Sequence, residues 1–117
     1  MTTAPAPSTL TDREYYAKAA QILTAVESTI DRWLQDDVID IDTSRTGGLL
    51  ELTLPDGSKL VLNTQPPLHE LWLAARNGGY HFHYAGGRWV EREGREFFEV
   101  LSQCASEQAG KPLKFEG

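Results

Sequence analysis

Asn63-Thr64-Gln65-Pro66-Pro67-Leu68-His69-Glu70-Leu71-Trp72-Leu73-Ala74-Ala75-Arg76-Asn77-Gly78-Gly79-Tyr80-His81-Phe82-His83-Tyr84 lies near the centre of the chain and reads as strand, proline corner, strand, tight turn, strand. Pro66 and Pro67 remove two backbone donors and force a change of direction between Gln65 and Leu68. Asn77-Gly78-Gly79 then supplies the turn. Leu71 and Leu73 flank Trp72, so in an extended chain the leucines share one face and the indole points to the other. With the leucines inward, Trp72 faces solvent beside the polar Asn63 and Gln65, an arrangement that folding alone does not require. The opposite register makes Trp72 a core residue.

The same alternation continues upstream. Leu60 and Leu62 face in while Lys59, Val61 and Asn63 face out, and Pro55-Asp56-Gly57 forms the preceding hairpin turn. Leu50, Leu52 and Leu54 alternate with Glu51 and Thr53 after a turn at Gly47-Gly48. Gln35 to Asp42 reads as a further strand, with Ile39 and Ile41 alternating with Asp40 and Asp42; outward charges of this kind protect a sheet edge. Before it, Thr11-Asp12-Arg13-Glu14 is a capping box that starts a helix. Tyr15, Ala19, Ile22, Val26, Ile30 and Trp33 recur at helical steps and define its buried stripe, with Glu27 and Asp31 on the rim.

Downstream, Gly86-Gly87 turns the chain into a short strand, Arg88 to Glu91. Phe97, Val100, Leu101 and Cys104 repeat at helical spacing between Gly94 and Gln108, and Ala109-Gly110 with Pro112 ends that helix. Leu113-Lys114-Phe115 fits the groove beside it. The order predicts an α+β two-layer sandwich with two helices on one face of a mainly antiparallel sheet of about five to seven strands. Residues 11–117 form the single domain, behind a flexible Ala/Pro/Thr-rich tail over residues 1–10 that resembles neither a signal nor a transit peptide.

Composition sets outer limits. The chain has 117 residues, a formal net charge of −6 and one cysteine, Cys104, so no intrachain disulfide forms. Asp12, Glu14, Glu27, Asp31, Asp36, Asp37, Asp40 and Asp42 outweigh Arg13, Lys18 and Arg32, which leaves nearly all the net charge between Thr11 and Asp42. That field argues against nucleic acid or an anionic membrane and for cations or a basic partner. A solvated acidic face that serves solubility is the plainer alternative.

Carboxylates without cysteine or paired histidine make hard oxygen sites, suited to Mg²⁺, Ca²⁺, Mn²⁺ or oxidised iron. Asp40-Ile41-Asp42-Thr43-Ser44 with Glu51 echoes a calcium loop, but Arg45 stands where a glycine is required. His81 and His83 share a strand face and form a metal pair only if a third ligand lies near. Cys104 falls in an apolar helical stripe and reads as core. No Ser-His-Asp, Cys-His or phosphate-cradling arrangement stands out.

Gly57-Ser-Lys-Leu-Val-Leu-Asn63-Thr-Gln65-Pro-Pro67-Leu-His-Glu-Leu-Trp72-Leu-Ala, followed by Gly78-Gly79-Tyr-His-Phe and Trp89, resembles the frataxin family in its bacterial form. The acidic first helix, Trp33 and the tail Gln108 to Phe115 agree with it. The resemblance implies an iron-binding, non-enzymatic protein of iron–sulfur cluster assembly, associating with the cysteine desulfurase and the scaffold protein. It implies a cytoplasmic monomer, with iron-dependent self-association as a further expectation. Carried over residue by residue, the metal-binding acidic ridge falls on Glu27, Asp31, Asp36, Asp37, Asp40 and Asp42, with Glu14 as an additional candidate. The partner-binding sheet patch falls on Asn63, Gln65 and Trp72. Arg32 departs from the pattern by placing a cation inside the ridge. Two readings of other classes stand beside this one: a metal-independent acidic module that docks on a basic partner, and a metalloenzyme built on His81 and His83.

Overall fold

The computed structural model describes residues 10–117, so the expected tail lies outside them apart from Leu10. The capping box starts helix α1, Asp12–Gln35: the Thr11 hydroxyl accepts from the Glu14 N–H at 3.1 Å, and the Glu14 carboxylate accepts from the Thr11 N–H at 2.9 Å. The expected stripe from Tyr15 to Trp33 is buried, joined by Leu23 and Thr29.

Six strands follow before the second helix: β1 Asp42–Thr46, β2 Leu49–Thr53, β3 Lys59–Gln65, β4 Glu70–Ala75, β5 Gly78–Ala85 and β6 Arg88–Val90. They pair in chain order, and each pair is antiparallel. Helix α2, Phe97–Ala109, completes the two-layer α+β sandwich that the alternation predicts. Leu50, Leu52, Leu60, Leu62, Leu71, Leu73 and Phe82 point to one side and join the stripes of both helices in one core. Each such leucine contributes about 1.5–3 kcal/mol by leaving water. No helix among the described residues is long and apolar enough to cross a membrane.

Two differences from the sequence reading bear on the candidate surfaces, beside shifts of one to three residues at the ends of β6 and α2. The segment before Asp42 is not a strand: α1 runs through Gln35, and the chain leaves it in a Schellman turn. The Val38 N–H bonds the Trp33 carbonyl at 2.8 Å and the Asp37 N–H bonds the Leu34 carbonyl at 3.2 Å, with Asp37 left-handed at φ 59°. Ile41 is buried from this loop, which is why its alternation with Asp40 and Asp42 imitates a strand. The second difference is small: Arg76 and Asn77 make the β4–β5 turn, and Gly78 and Gly79 already belong to β5.

The C-terminal segment closes the helical layer. Ser106 Oγ accepts from the Leu113 N–H at 2.9 Å, Ser102 Oγ accepts from the Phe115 N–H at 2.8 Å, and Phe115 packs on Trp33 with ring centres 4.7 Å apart. Gln108 ties the end of α2 to the sheet, accepting from the Arg76 N–H at 2.9 Å and donating to Ser58 Oγ and the Lys59 carbonyl.

Candidate functional site

The sheet face turned away from the helices carries the first candidate surface. Register places Leu49, Asn63, Trp72 and His81 in one row across β2 to β5, with Gln65 opposite Glu70 two residues along. Trp72 lies on this outer face, as the Leu71/Leu73 alternation predicts, with Asn63 and Gln65 beside it; all three are half-buried rather than fully open to solvent. Leu49 is 40% exposed beside them, and a depression of about 220 Å³ runs between Leu49, Val61, Asn63, Trp72 and His81.

Trp72 is tightly held for a surface residue. Its indole N–H donates to Glu70 Oε1 at 2.7 Å, and its ring stacks on His81 with centres 4.0 Å apart and planes 5° apart. Glu70 is anchored in turn from the other layer: the Tyr15 hydroxyl donates to the Glu70 carbonyl at 2.6 Å and accepts from the Gln65 N–H at 3.0 Å. His69, left-handed at φ 52°, stacks on the Tyr15 ring and meets Asp12 at 2.7 Å. The first turn of α1 therefore grips the corner from which the candidate patch extends. The sequence reading did not place Leu49 or Glu70 on this patch, and it took His81 as a metal candidate rather than as the neighbour of Trp72. The signal for His81 was available, since a two-residue turn at Arg76-Asn77 sets residue 72 opposite 81.

The acids form the second candidate surface, and the structure divides them. Asp31, Asp36, Asp37, Asp40 and Asp42 are exposed around the C-terminal end of α1 and the start of β1. Asp37 and Asp40 line one shallow depression with Leu34 and Ile39. Glu27 is half-buried and committed: Arg45 of β1 donates to its Oε1 at 2.7 Å and also reaches Thr24. Glu14 belongs to the helix start, roughly 33 Å from Asp36 by the rise of a helix. Its carboxyl is held below the usual range by the hydrogen bonds from Thr11.

The placement of the five exposed acids runs against helix stability. A helix C-terminus is the negative end of its dipole and favours cations, yet Arg32 is the only base in the last turn of α1. Negative potential is thus concentrated where the backbone already supplies it. These carboxylate oxygens are a donor set that fits oxidised iron and other hard cations. Among the described residues, no three His, Cys, Asp or Glu side chains converge to hold a metal, so the surface offers few preorganised ligands.

Other candidates reduce to structure. His81 is taken up by Trp72, and among the described residues no third ligand completes a metal site with His83. Cys104 is buried beside Asn77 and Tyr80, and burial pushes its thiol pKa up, away from a reactive thiolate. Glu91, 6% exposed, takes both Nε and Nη2 of Arg95, at 2.9 and 2.7 Å, and accepts from the Glu93 N–H, shaping the link from β6 to α2.

A family model described as a frataxin-like domain matches residues 8–111. The chain belongs to the frataxin-like family. The iron-sulfur cluster assembly protein CyaY of Variovorax paradoxus (strain S110) is 48% identical over 107 residues, spanning 91% of this chain and 97% of the relative. A CyaY-family frataxin from Psychromonas ingrahamii matches with a TM-score of 0.81 at 32% identity, covering 92% of this chain and 100% of that one. A trimeric frataxin from Saccharomyces cerevisiae, solved in a ferrous complex, has a TM-score of 0.66 at 23% identity over 92% of this chain and 93% of that one, a likeness of fold. The resemblance to the frataxin family is thereby borne out, as is the fold class.

Proposed function

We propose that this chain is an iron-binding protein of iron–sulfur cluster assembly, acting as an iron donor or as a regulator of the cysteine desulfurase and scaffold complex. Iron is its cargo: Asp31, Asp36, Asp37, Asp40 and Asp42 hold ferrous or ferric ions weakly, in open, water-rich coordination. Glu27 and Glu14 contribute through the field, since Arg45 and the capping box occupy them. The same acids face the basic surface of the desulfurase, while Asn63, Gln65 and Trp72 meet the scaffold. The protein acts in the cytoplasm as a monomer without iron, and it performs no catalysis of its own.

The observation that carries this reading is the set of unpaired acids at the negative end of α1, on a chain 48% identical to an iron-sulfur cluster assembly protein. Stability alone disfavours that placement. The test is residue-resolved NMR during titration with ferrous iron, ferric iron and then the desulfurase. Resonances from Asp31 to Asp42 respond first; a response confined to Tyr80–Tyr84 would place the metal elsewhere.

One observation favours a second reading. With no three ligands converging among the described residues, the ridge also suits a metal-independent module that complements a basic protein. Reversing charge at Asp31, Asp36 and Asp37 separates the two: retained iron binding with lost desulfurase binding selects the module.

A further inference from the structure

The indole of Trp72 is half-buried on an open sheet face, yet two contacts define its pose: its N–H is spent on Glu70, and one ring face lies flat on His81. Asn63 is its register partner on β3. We infer that His81 is a positioning residue for the docking face, holding Trp72 as a rigid platform for an apolar or π-rich element of the partner. This rests on the reading that Trp72 meets the scaffold protein.

What these contacts supply is order before binding. A free surface tryptophan samples several rotamers, and a partner that needs one of them must immobilise it on binding. The stack on His81 and the bond to Glu70 do that in advance. They also select the chemistry of the contact. With its N–H donated internally, the indole has no donor left for the partner, so recognition falls to the ring surface and to the adjoining apolar depression of Leu49 and Val61. Polar specificity then comes from Asn63 and Gln65. Glu70 serves two layers at once, since its carbonyl is held by Tyr15 while its carboxylate holds the indole. His81 is exposed and lies outside the core, so changing it leaves the fold in place.

The experiment compares His81→Ala, His81→Phe and Trp72→Ala with the parent, each titrated with the purified scaffold protein, and follows the Trp72 Nε1–H resonance in the free proteins. His81→Ala is expected to weaken binding by about threefold to tenfold and to broaden or shift that resonance. His81→Phe, which keeps a flat ring under the indole, restores both; a merely structural role for the residue would not give this paired rescue. Lost binding in Trp72→Ala with parental binding in His81→Ala would overturn the positioning role alone. Unchanged binding in Trp72→Ala would overturn the docking face and the positioning role together.

Discussion

Arg45 on β1 places its guanidinium 2.7 Å from Glu27 on α1, so the first strand supplies an internal cation at the edge of the acidic ridge. The pair is about one-third exposed on each side and contributes little to stability. Its effect is on the field. A metal ion or a basic side chain approaching Glu27 has to displace Arg45. Arg45→Ala should therefore change unfolding free energy by less than about 1 kcal/mol while raising cation affinity about twofold to fivefold. Calorimetric titration with Mn²⁺ or ferric iron checks this, and unchanged or weaker binding would remove Arg45 from the ridge.

Trp72 and its two neighbours provide an internal comparison. Leu71 and Leu73 are 0% and 1% exposed in the core, whereas Trp72 is half-buried on the opposite face. Leu71→Ala or Leu73→Ala should cost about 2–5 kcal/mol, with a cavity left behind. Trp72→Ala loses its stack, one part-buried hydrogen bond and the covered part of the indole, about 1–2 kcal/mol. Urea denaturation of the three variants tests the register directly. A loss of 3 kcal/mol or more at Trp72 would contradict its outward placement.

Tyr15 carries the connection between the layers. Its side chain is fully buried, and its hydroxyl satisfies both the Glu70 carbonyl and the Gln65 N–H. Tyr15→Phe keeps the packing and strands those two backbone groups, so it should cost about 1–3 kcal/mol. Amide exchange at Gln65 should accelerate more than at Leu50 or Leu62. Equal acceleration throughout would mean a global effect rather than a loosened corner.

What the sequence made legible follows from the range of the forces involved. The capping box and the Leu50/Leu52/Leu54, Leu60/Leu62 and Leu71/Leu73 alternations are local, and they gave α1 and three strands with the correct inward face. The start of β1 was misread because Ile41 is buried from a loop, and period two cannot tell an apolar plug from a strand. Long-range pairs were out of reach: Tyr15 with Glu70 and Arg45 with Glu27 depend on how helix and sheet cross. The exposed row was half legible. Alternation put Trp72 outside, but adding His81 required the two-residue turn at Arg76-Asn77 rather than the glycines after it.

Glu91 predicts an acid-side loss of stability. Burial pushes its carboxyl up, but the hydrogen bonds from Arg95 and the Glu93 N–H outweigh burial and hold it below its ordinary value of 4.5. A folded-state pKa below the unfolded one means that the native state binds fewer protons. The stabilisation is thus fully present above about pH 4.5 and is lost as pH falls through the folded value. Glu91→Gln should be less stable than the parent at pH 7, and the gap should narrow below pH 4.5. A gap that stayed constant from pH 7 to pH 3 would exclude the ion pair as its source.

Asp36 and Asp37 bring stability and the proposed binding into opposition. Asp36 caps α1 at its negative end, and Asp37 follows in the left-handed conformation that most side chains resist. Asparagine accepts both roles, since it tolerates positive φ and carries no charge. The double change Asp36→Asn and Asp37→Asn should therefore raise unfolding free energy by about 0.5–1 kcal/mol, by relieving repulsion with the helix dipole. The same change should weaken iron and desulfurase binding, because it removes charge without altering the turn. Asp37→Ala separates conformation from charge: it loses the same charge but pays the left-handed strain, so it should be less stable than Asp37→Asn by about 1 kcal/mol. Thermal unfolding and parallel titrations read both effects. Higher stability with undiminished binding would show that these two acids are surface charge and nothing more.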